Sequence, residues 1–372
     1  MVLDSPFGRV FYCPKETKAR SIIAERRKIM TEKTQNAAPT PGLRYVLSED
    51  GNSYICIGIE SKDCKRTEIV IASEYNGKPV TAIEEAAFLV LDGITGITIP
   101  DSVTSIGDSA FIGCTALTSI VLPNSITDIG DCAFEGCTAL TSIVLPNRTT
   151  DIGDWTFEGC TALTSIVLPN SITDIGDWAF SGCTGLTSIV LPNRITDIGD
   201  WTFEGCTALT SIMLPESVTS IGDGAFKGCG RLKSIVLPES VTSIGYWAFE
   251  GCNRLKSIVL PDSLKSIGNG AFESCRFLTD VKIPDSVTSI GQKAFLQCDS
   301  LTGITIPCGV TSIGRKAFHQ CTRLQSVVFA HPEGWSKKRW FTKRLAGSDL
   351  SNPATAAKYL TKKYCASLWK RN

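Results

Sequence analysis

Two histidines in 372 residues leave little from which to build hydrolytic or metal chemistry. His319 and His331 are the pair, and neither recurs at a fixed distance from a nucleophile or a set of metal ligands, so catalysis is not expected. Net charge is lacking as well. Lys plus Arg and Asp plus Glu both number 37, which removes any overall pull toward nucleic acid or an anionic membrane. No run approaches the roughly 20 apolar residues that cross a bilayer, and residues 1–42 hold no unbroken apolar core of the kind a secretory leader needs. The expectation is a chain with no membrane span and no visible export signal. No phosphate-binding glycine loop stands out either, so no cofactor is expected.

What is abundant is repetition. Ten of the 16 cysteines, Cys114, Cys137, Cys160, Cys183, Cys206, Cys229, Cys252, Cys275, Cys298 and Cys321, follow one another at steps of 23 residues. Phenylalanine keeps the step from Phe88 to Phe318, glycine from Gly107 to Gly314, and proline from Pro100 to Pro307. A period of this length is the mark of a solenoid, in which one unit cannot bury its own apolar face and each coil must cover the next. About eleven coils are expected.

Within one unit, Ile120 and Leu122 alternate with Ser119 and Val121, which predicts a short parallel strand with the first pair inward and the second outward. Pro123, without an amide hydrogen, fits where that strand ends. Ile126 and Ile129 return to the core. Phe134, Cys137 and Leu140, three apart, suit a single helical or 3₁₀ turn that buries all three. Stacked cysteines have parallel Cβ vectors, poorly aimed for a disulfide, so buried free thiols are expected.

The runs Ile106-Gly107, Ala110-Phe111, Gly113-Cys114 and Leu122-Pro123 resemble the 23-residue repeat of BspA-like leucine-rich-repeat proteins, from about Leu43 to Phe329. The resemblance implies a right-handed leucine-rich-repeat solenoid with strands on one side and short turns on the other. It also implies protein recognition or adhesion, at the cell surface or after secretion, with an extracellular-matrix or cell-surface protein as partner. A cytoplasmic scaffold or inhibitor using the same surface is the alternative that the missing export signal favours. The organisation expected is an arm and linker over 1–42, irregular capping coils over 43–82, the repeat array over 83–329 and a C-terminal cap over 330–372. In that cap Asn352-Pro353 announces a short helix through Tyr364. Residues 15–33 could form a charged helix. Residues 128–173 and 174–219 are nearly identical, which points to duplication of a two-coil block.

Three surface features are candidates for binding. The outward strand positions Val121, Val144, Val167 and Val190, followed by Met213, make a mildly apolar face that suits a protein partner or is simply good strand chemistry. Trp155, Trp178, Trp201 and Trp247 share one column that holds Ser, Cys, Gly or Lys elsewhere, so the core does not require indole there. They form an interaction stripe for protein or sugar, or a ladder that packs on itself. Recurring acids such as Asp128 and Asp131 could gather cations, or the Asp131 column could cap the turn that follows it. The tail from 331 to 372 carries ten Lys or Arg against two acids, with Trp335, Trp340 and Tyr364 among them. A solvated basic cap explains it better than nucleic-acid binding. The sequon at Asn147 is incidental.

Overall fold

The computed structural model describes residues 38–59, 67–338 and 342–371. The expectations for residues 1–37 and for Trp340 lie outside these. The chain is a β-solenoid of about 12 turns, one more than the repeat count alone suggests because the irregular first coil also stacks. Residues 43–59 form an antiparallel hairpin whose second strand pairs in parallel with Lys78–Ile83 and so starts the stack.

Each coil contributes to two parallel ladders. The first is built from strands such as Ser119–Val121, Ser142–Val144 and Ser165–Val167, paired residue on identical residue. The second, which periodicity did not single out, is built from two-residue strands such as Asp151–Ile152 and Asp174–Ile175, and it is interrupted between Asp128–Ile129 and Asp151–Ile152. Ile120, Leu122, Ile126 and Ile129 all point inward. The first ladder is interrupted where Val190, Met213 and Val236 are joined only by isolated bridges. Threonine columns tie successive coils together: the backbone amide and the hydroxyl of Thr118, for example, both donate to the carbonyl of Thr95 in the coil before.

The third side buries Phe134, Cys137 and Leu140, yet it is not helical. Two residues in each turn adopt left-handed backbone, Ser109 at φ 56° and Gly113 at φ 69° in one coil. That alternation turns every second amide out of the coil. Ala110, Ile112 and Cys114 donate to carbonyls three residues back, whereas Ser109, Phe111 and Gly113 donate to Asp131, Ala133 and Glu135 of the next coil. A helix would direct every amide along its own axis; here half of them bind neighbouring coils together.

Side chains complete the stack. Eleven phenylalanines from Phe88 to Phe318 lie face to face, with ring centroids 5.2 Å to 5.6 Å apart. The ten cysteines of the repeat are buried, and each thiol donates to a phenylalanine carbonyl, Cys137 to Phe111 at 3.2 Å and so along the array. The glycine column has its own cause. A Cβ on Gly130 would stand 2.1 Å from Asp108 Oδ1 and 2.6 Å from its backbone nitrogen, so the preceding coil occupies that space.

At the far end, Leu368–Arg371 pairs antiparallel with Ser312–Ile313 and with Trp335–Lys338, covering the last strand of the second ladder. Asn352 accepts from the amide of Thr355 at 2.9 Å and opens the helix Pro353–Lys358, which a π-helical turn, Tyr359–Lys363, continues. No helix among the described residues is long and apolar enough to cross a membrane.

Candidate functional site

The tryptophan column sits at the first left-handed position of the turn: Trp155, Trp178, Trp201 and Trp247 have φ between 53° and 56°. For a residue with a Cβ this conformation costs about 1–2 kcal/mol, and glycine is its natural occupant. Glycine does occur in the same column, at Gly224 and Gly270. The turn itself makes no demand for indole here, since Ala86, Ser109, Cys132 and Lys293 adopt the same left-handed backbone in other coils.

Their rings form one continuous row. Trp155 and Trp178 stack at 5.4 Å, and Trp178 and Trp201 at 6.0 Å. Trp201 then leans over Gly224, where a Cβ would meet its ring at 2.3 Å, and so comes within 6.3 Å of Trp247 despite the missing coil between them. The first three are half-buried and Trp247 is 37 % exposed. Tyr246, which sequence reasoning passed over, is exposed and lies edge-on to Trp247 at 6.0 Å. The row packs on itself, as one of the two readings of the column has it, and leaves its last ring partly exposed.

Carboxylates border the row. On one side run Asp131, Asp154, Asp177, Asp200 and Asp223. Each uses Oδ1 to accept the backbone amide of the next coil, Asp154 N on Asp131 Oδ1 at 2.8 Å for example. They cap the coil ahead rather than their own turn, which corrects the cap expected from sequence; the out-turned amides create that geometry. Asp177 has its carboxyl raised by burial and by its neighbours Asp200, Asp154 and Asp174.

On the other side, three residues after each tryptophan position, stand Glu135, Glu158, Ser181, Glu204, Lys227, Glu250 and Glu273. Burial, with Glu135 and Glu204 nearby, raises the Glu158 carboxyl. Lys227 is held by this row: its ammonium lies 4.8 Å from the Trp201 ring, 3.5 Å from Glu204 and 3.9 Å from Glu250. Cys132, which precedes Trp155 in the tryptophan column, has its thiol pushed up to about 11 by burial and by Glu135 and Asp131.

The strand face is less uniform than its sequence. Val121, Val144 and Val167 are half-buried, whereas Val190 is 45 % and Met213 72 % exposed. Val236 and Val259, at 72 % and 66 %, extend the exposed part beyond the residues that sequence reasoning had named, although they stand in the same column.

Elsewhere the chemistry is structural. His319 Nδ1 lies 3.1 Å from the carbonyl of Thr361 and so joins the array to the C-terminal segment, while the carbonyl of His331 accepts from the Trp335 indole within that segment. Among the described residues no group of three or more His, Cys, Asp or Glu converges as metal ligands. The tail aromatics are engaged too: Trp335 is buried beside Phe329 and Trp369, and Lys337 covers the Tyr364 ring at 3.2 Å.

Residues 81–210, 128–256 and 196–325 match the BspA type leucine rich repeat region. A leucine-rich repeat protein from Bacteroides ovatus is 30% identical, with 78% of this chain and 88% of that one covered and a TM-score of 0.61. A leucine rich cell surface protein from Faecalibacterium prausnitzii is 27% identical over 79% of this chain and 94% of its own, with a TM-score of 0.51. The pneumococcal vaccine antigen PcpA, 20% identical over 80% of this chain and 82% of its own, has a TM-score of 0.59 and shares the fold. No curated protein matches the chain.

Proposed function

This chain belongs to the BspA-type leucine-rich-repeat family, and on that premise we propose that it is a non-enzymatic recognition protein whose contact surface is the tryptophan row. The fold implies protein partners, and the finer reading is adhesion to, or recognition of, a cell-surface or extracellular-matrix protein. One observation carries it: four indoles in contact occupy backbone that favours glycine, on a side of the array where the core needs nothing so large. Half-exposed, low-entropy aromatic area of this kind is what anchors protein interfaces. The exposed valines and Met213 on the strand face offer a second, flatter area for the same class of partner. The surface-protein relative from Faecalibacterium prausnitzii supports this reading.

The test compares the wild-type chain with a W155S/W178S/W201S/W247S variant, serine being the residue that Ser109 already places in this column. Both are immobilised and offered cell-surface and matrix proteins one at a time. Retention by the wild type and loss by the variant, with circular dichroism unchanged, is the expected result. Equal retention by both removes the row from the proposal.

A further inference from the structure

The strand face changes its chemistry part-way along the array. The position directly before each first-ladder strand is threonine from Thr118 to Thr210, and the position two residues earlier is alanine or glycine. In the next two coils these become Lys233 and Lys256, and Arg231 and Arg254. All four are exposed. The strands that follow them, Ser234–Val236 and Ser257–Val259, pair residue on identical residue, so lysine stands beside lysine and arginine beside arginine, about 4.8 Å apart along the stack. Among the described residues only Lys227 and Lys293 take part in ion pairs, so none of the four is neutralised. The stack itself makes no demand for lysine here. The hydroxyls of Thr141, Thr164, Thr187 and Thr210 each donate to a carbonyl of the coil before, and Thr279 resumes the pattern by donating to the carbonyl of Lys256 at 3.1 Å. Lys233 and Lys256 forgo that bond and set like charges side by side, which is unfavourable until an anion joins them. Next to this cationic edge run Met213, Val236 and Val259, the most exposed apolar side chains of the face at 72 %, 72 % and 66 %. Past the proline that ends each strand, Glu216, Glu239 and Asp262 form an opposite, anionic edge.

We infer that this part of the strand face docks an extended acidic segment of a partner protein, with its carboxylates over Arg231, Lys233, Arg254 and Lys256 and its apolar side chains over Val236 and Val259. The inference rests on the recognition reading above and names the chemistry of a partner at a second surface, apart from the tryptophan row. Charge complementarity selects the occupant and its direction. A chain laid flat along the array sends alternate side chains to either edge, so acids on one side meet the cations, whereas acids on the other side would meet Glu216 and Glu239 and be repelled. The valines decide between kinds of polyanion. A sulfated glycan would use the cations and leave Val236 and Val259 in water, while a protein segment covers both and gains the apolar area.

The experiment titrates the full chain into a fluorescein-labelled octapeptide of alternating glutamate and valine, read by anisotropy at low ionic strength, with the glutamine–valine and glutamate–serine peptides alongside. Wild type is expected to bind the first peptide, to bind the glutamate–serine peptide more weakly and not to bind the glutamine–valine peptide. R231A/K233T/R254A/K256T carries only residues that Ala208 and Thr210 already place in these columns, and it is expected to weaken binding by about tenfold or more with the melting temperature equal or higher. The milder K233T/K256T should fall between the two, and the four-tryptophan variant should bind the peptide as wild type does. Equal binding of the glutamine–valine peptide, or unchanged binding by the four-cation variant, overturns the acidic-segment site. Displacement of the peptide by a sulfated oligosaccharide that binds the glutamate–valine site more tightly would assign the face to a glycan instead, and a low-salt dimer that the four-cation variant fails to form would assign it to a second copy; either overturns the proposal. If the four-cation variant binds the peptide unchanged while the four-tryptophan variant still loses its protein partner, the recognition reading stands and only the acidic-segment assignment fails.

Discussion

Alkaline titration probes the stacked core directly, through its thiols. Burial, the leading cause at each position, pushes Cys114 up to about 11 and Cys183 and Cys229 up to about 12, and raises Cys137, Cys160, Cys206, Cys252, Cys275 and Cys298 as well. The unfolded chain ionises its thiols near pH 8.5, the folded chain well above it, so the folded state holds more protons between the two. Stability from these groups is therefore complete below about pH 8.5 and falls as pH rises toward the folded values. By pH 10 each thiol has lost about 2 kcal/mol, and nine of them together about 18 kcal/mol, above the 5–15 kcal/mol that ordinarily holds a domain folded. Cooperative unfolding between about pH 9 and pH 10 is expected, followed by circular dichroism together with thiolate ultraviolet absorbance. The two signals should move together, and a C183A/C206A variant should show a shallower pH dependence. Six of the 16 cysteines lie outside the ladder, so thiolate absorbance amounting to more than six thiols while the circular dichroism holds steady would refute the buried ladder.

Other perturbations test separate parts of the stack. Thr149 is buried in a column of Val, Ile and Leu, with Ile126 and Ile172 in the coils on either side, and its hydroxyl has no hydrogen-bond partner. T149I should raise stability by about 1–3 kcal/mol in a urea melt, and a loss would show that the column cannot take the larger side chain. W178G relieves left-handed strain while losing its two ring stacks, so it should melt close to wild type, whereas W178S keeps the strain and should lose about 1 kcal/mol. Deleting 368–372 uncovers the edge at Ser312–Ile313 and removes the buried Trp369, and self-association should then appear by light scattering; a stable monomer would mean that the edge is protected otherwise.

Much of this architecture is written in the period. Steps of 23 residues dictate which side chains share a column, and the inward Ile120, Leu122, Phe134 and Cys137 follow from apolar spacing alone. The period does not say where the backbone amides point. That depends on the sign of φ at positions such as Ser109 and Trp155, and it decides that the turn is not a helix and that Asp131 serves the coil ahead. A trace of it was available: Gly224 and Gly270 appear in the tryptophan column, and glycine in a column otherwise bearing side chains marks left-handed backbone. The pairing of Lys227 with Glu204 and Glu250 is a relation across coils, visible only once the rise between coils is known. The step in exposure from Val167 to Val190 has no counterpart in the repeat sequence, since both positions follow the same Ser-Ile pair.

Because each coil rests on its neighbours alone, recognition and stability can be separated by length. Removing residues 151–196 takes out 46 residues, two repeats of 23, and joins Thr150 to Asp197 in a context that Thr173-Asp174 already provides. Every interior column stays in register, with Phe134 meeting Phe203 and Cys137 meeting Cys206 as each now meets its own neighbour. A nearest-neighbour stack loses two coils' worth of stability and keeps its cooperativity, so the shortened chain should fold and melt in one transition. It should nevertheless lose Trp155 and Trp178 together, leaving two of the four indoles. Folded, monodisperse protein that no longer retains the partner held by the four-indole row is the expected outcome, measured by circular dichroism and by binding to the immobilised chain. A deletion that fails to fold would show that these two coils contribute more than their interfaces, and the view of the array as independent stacked units would have to be given up.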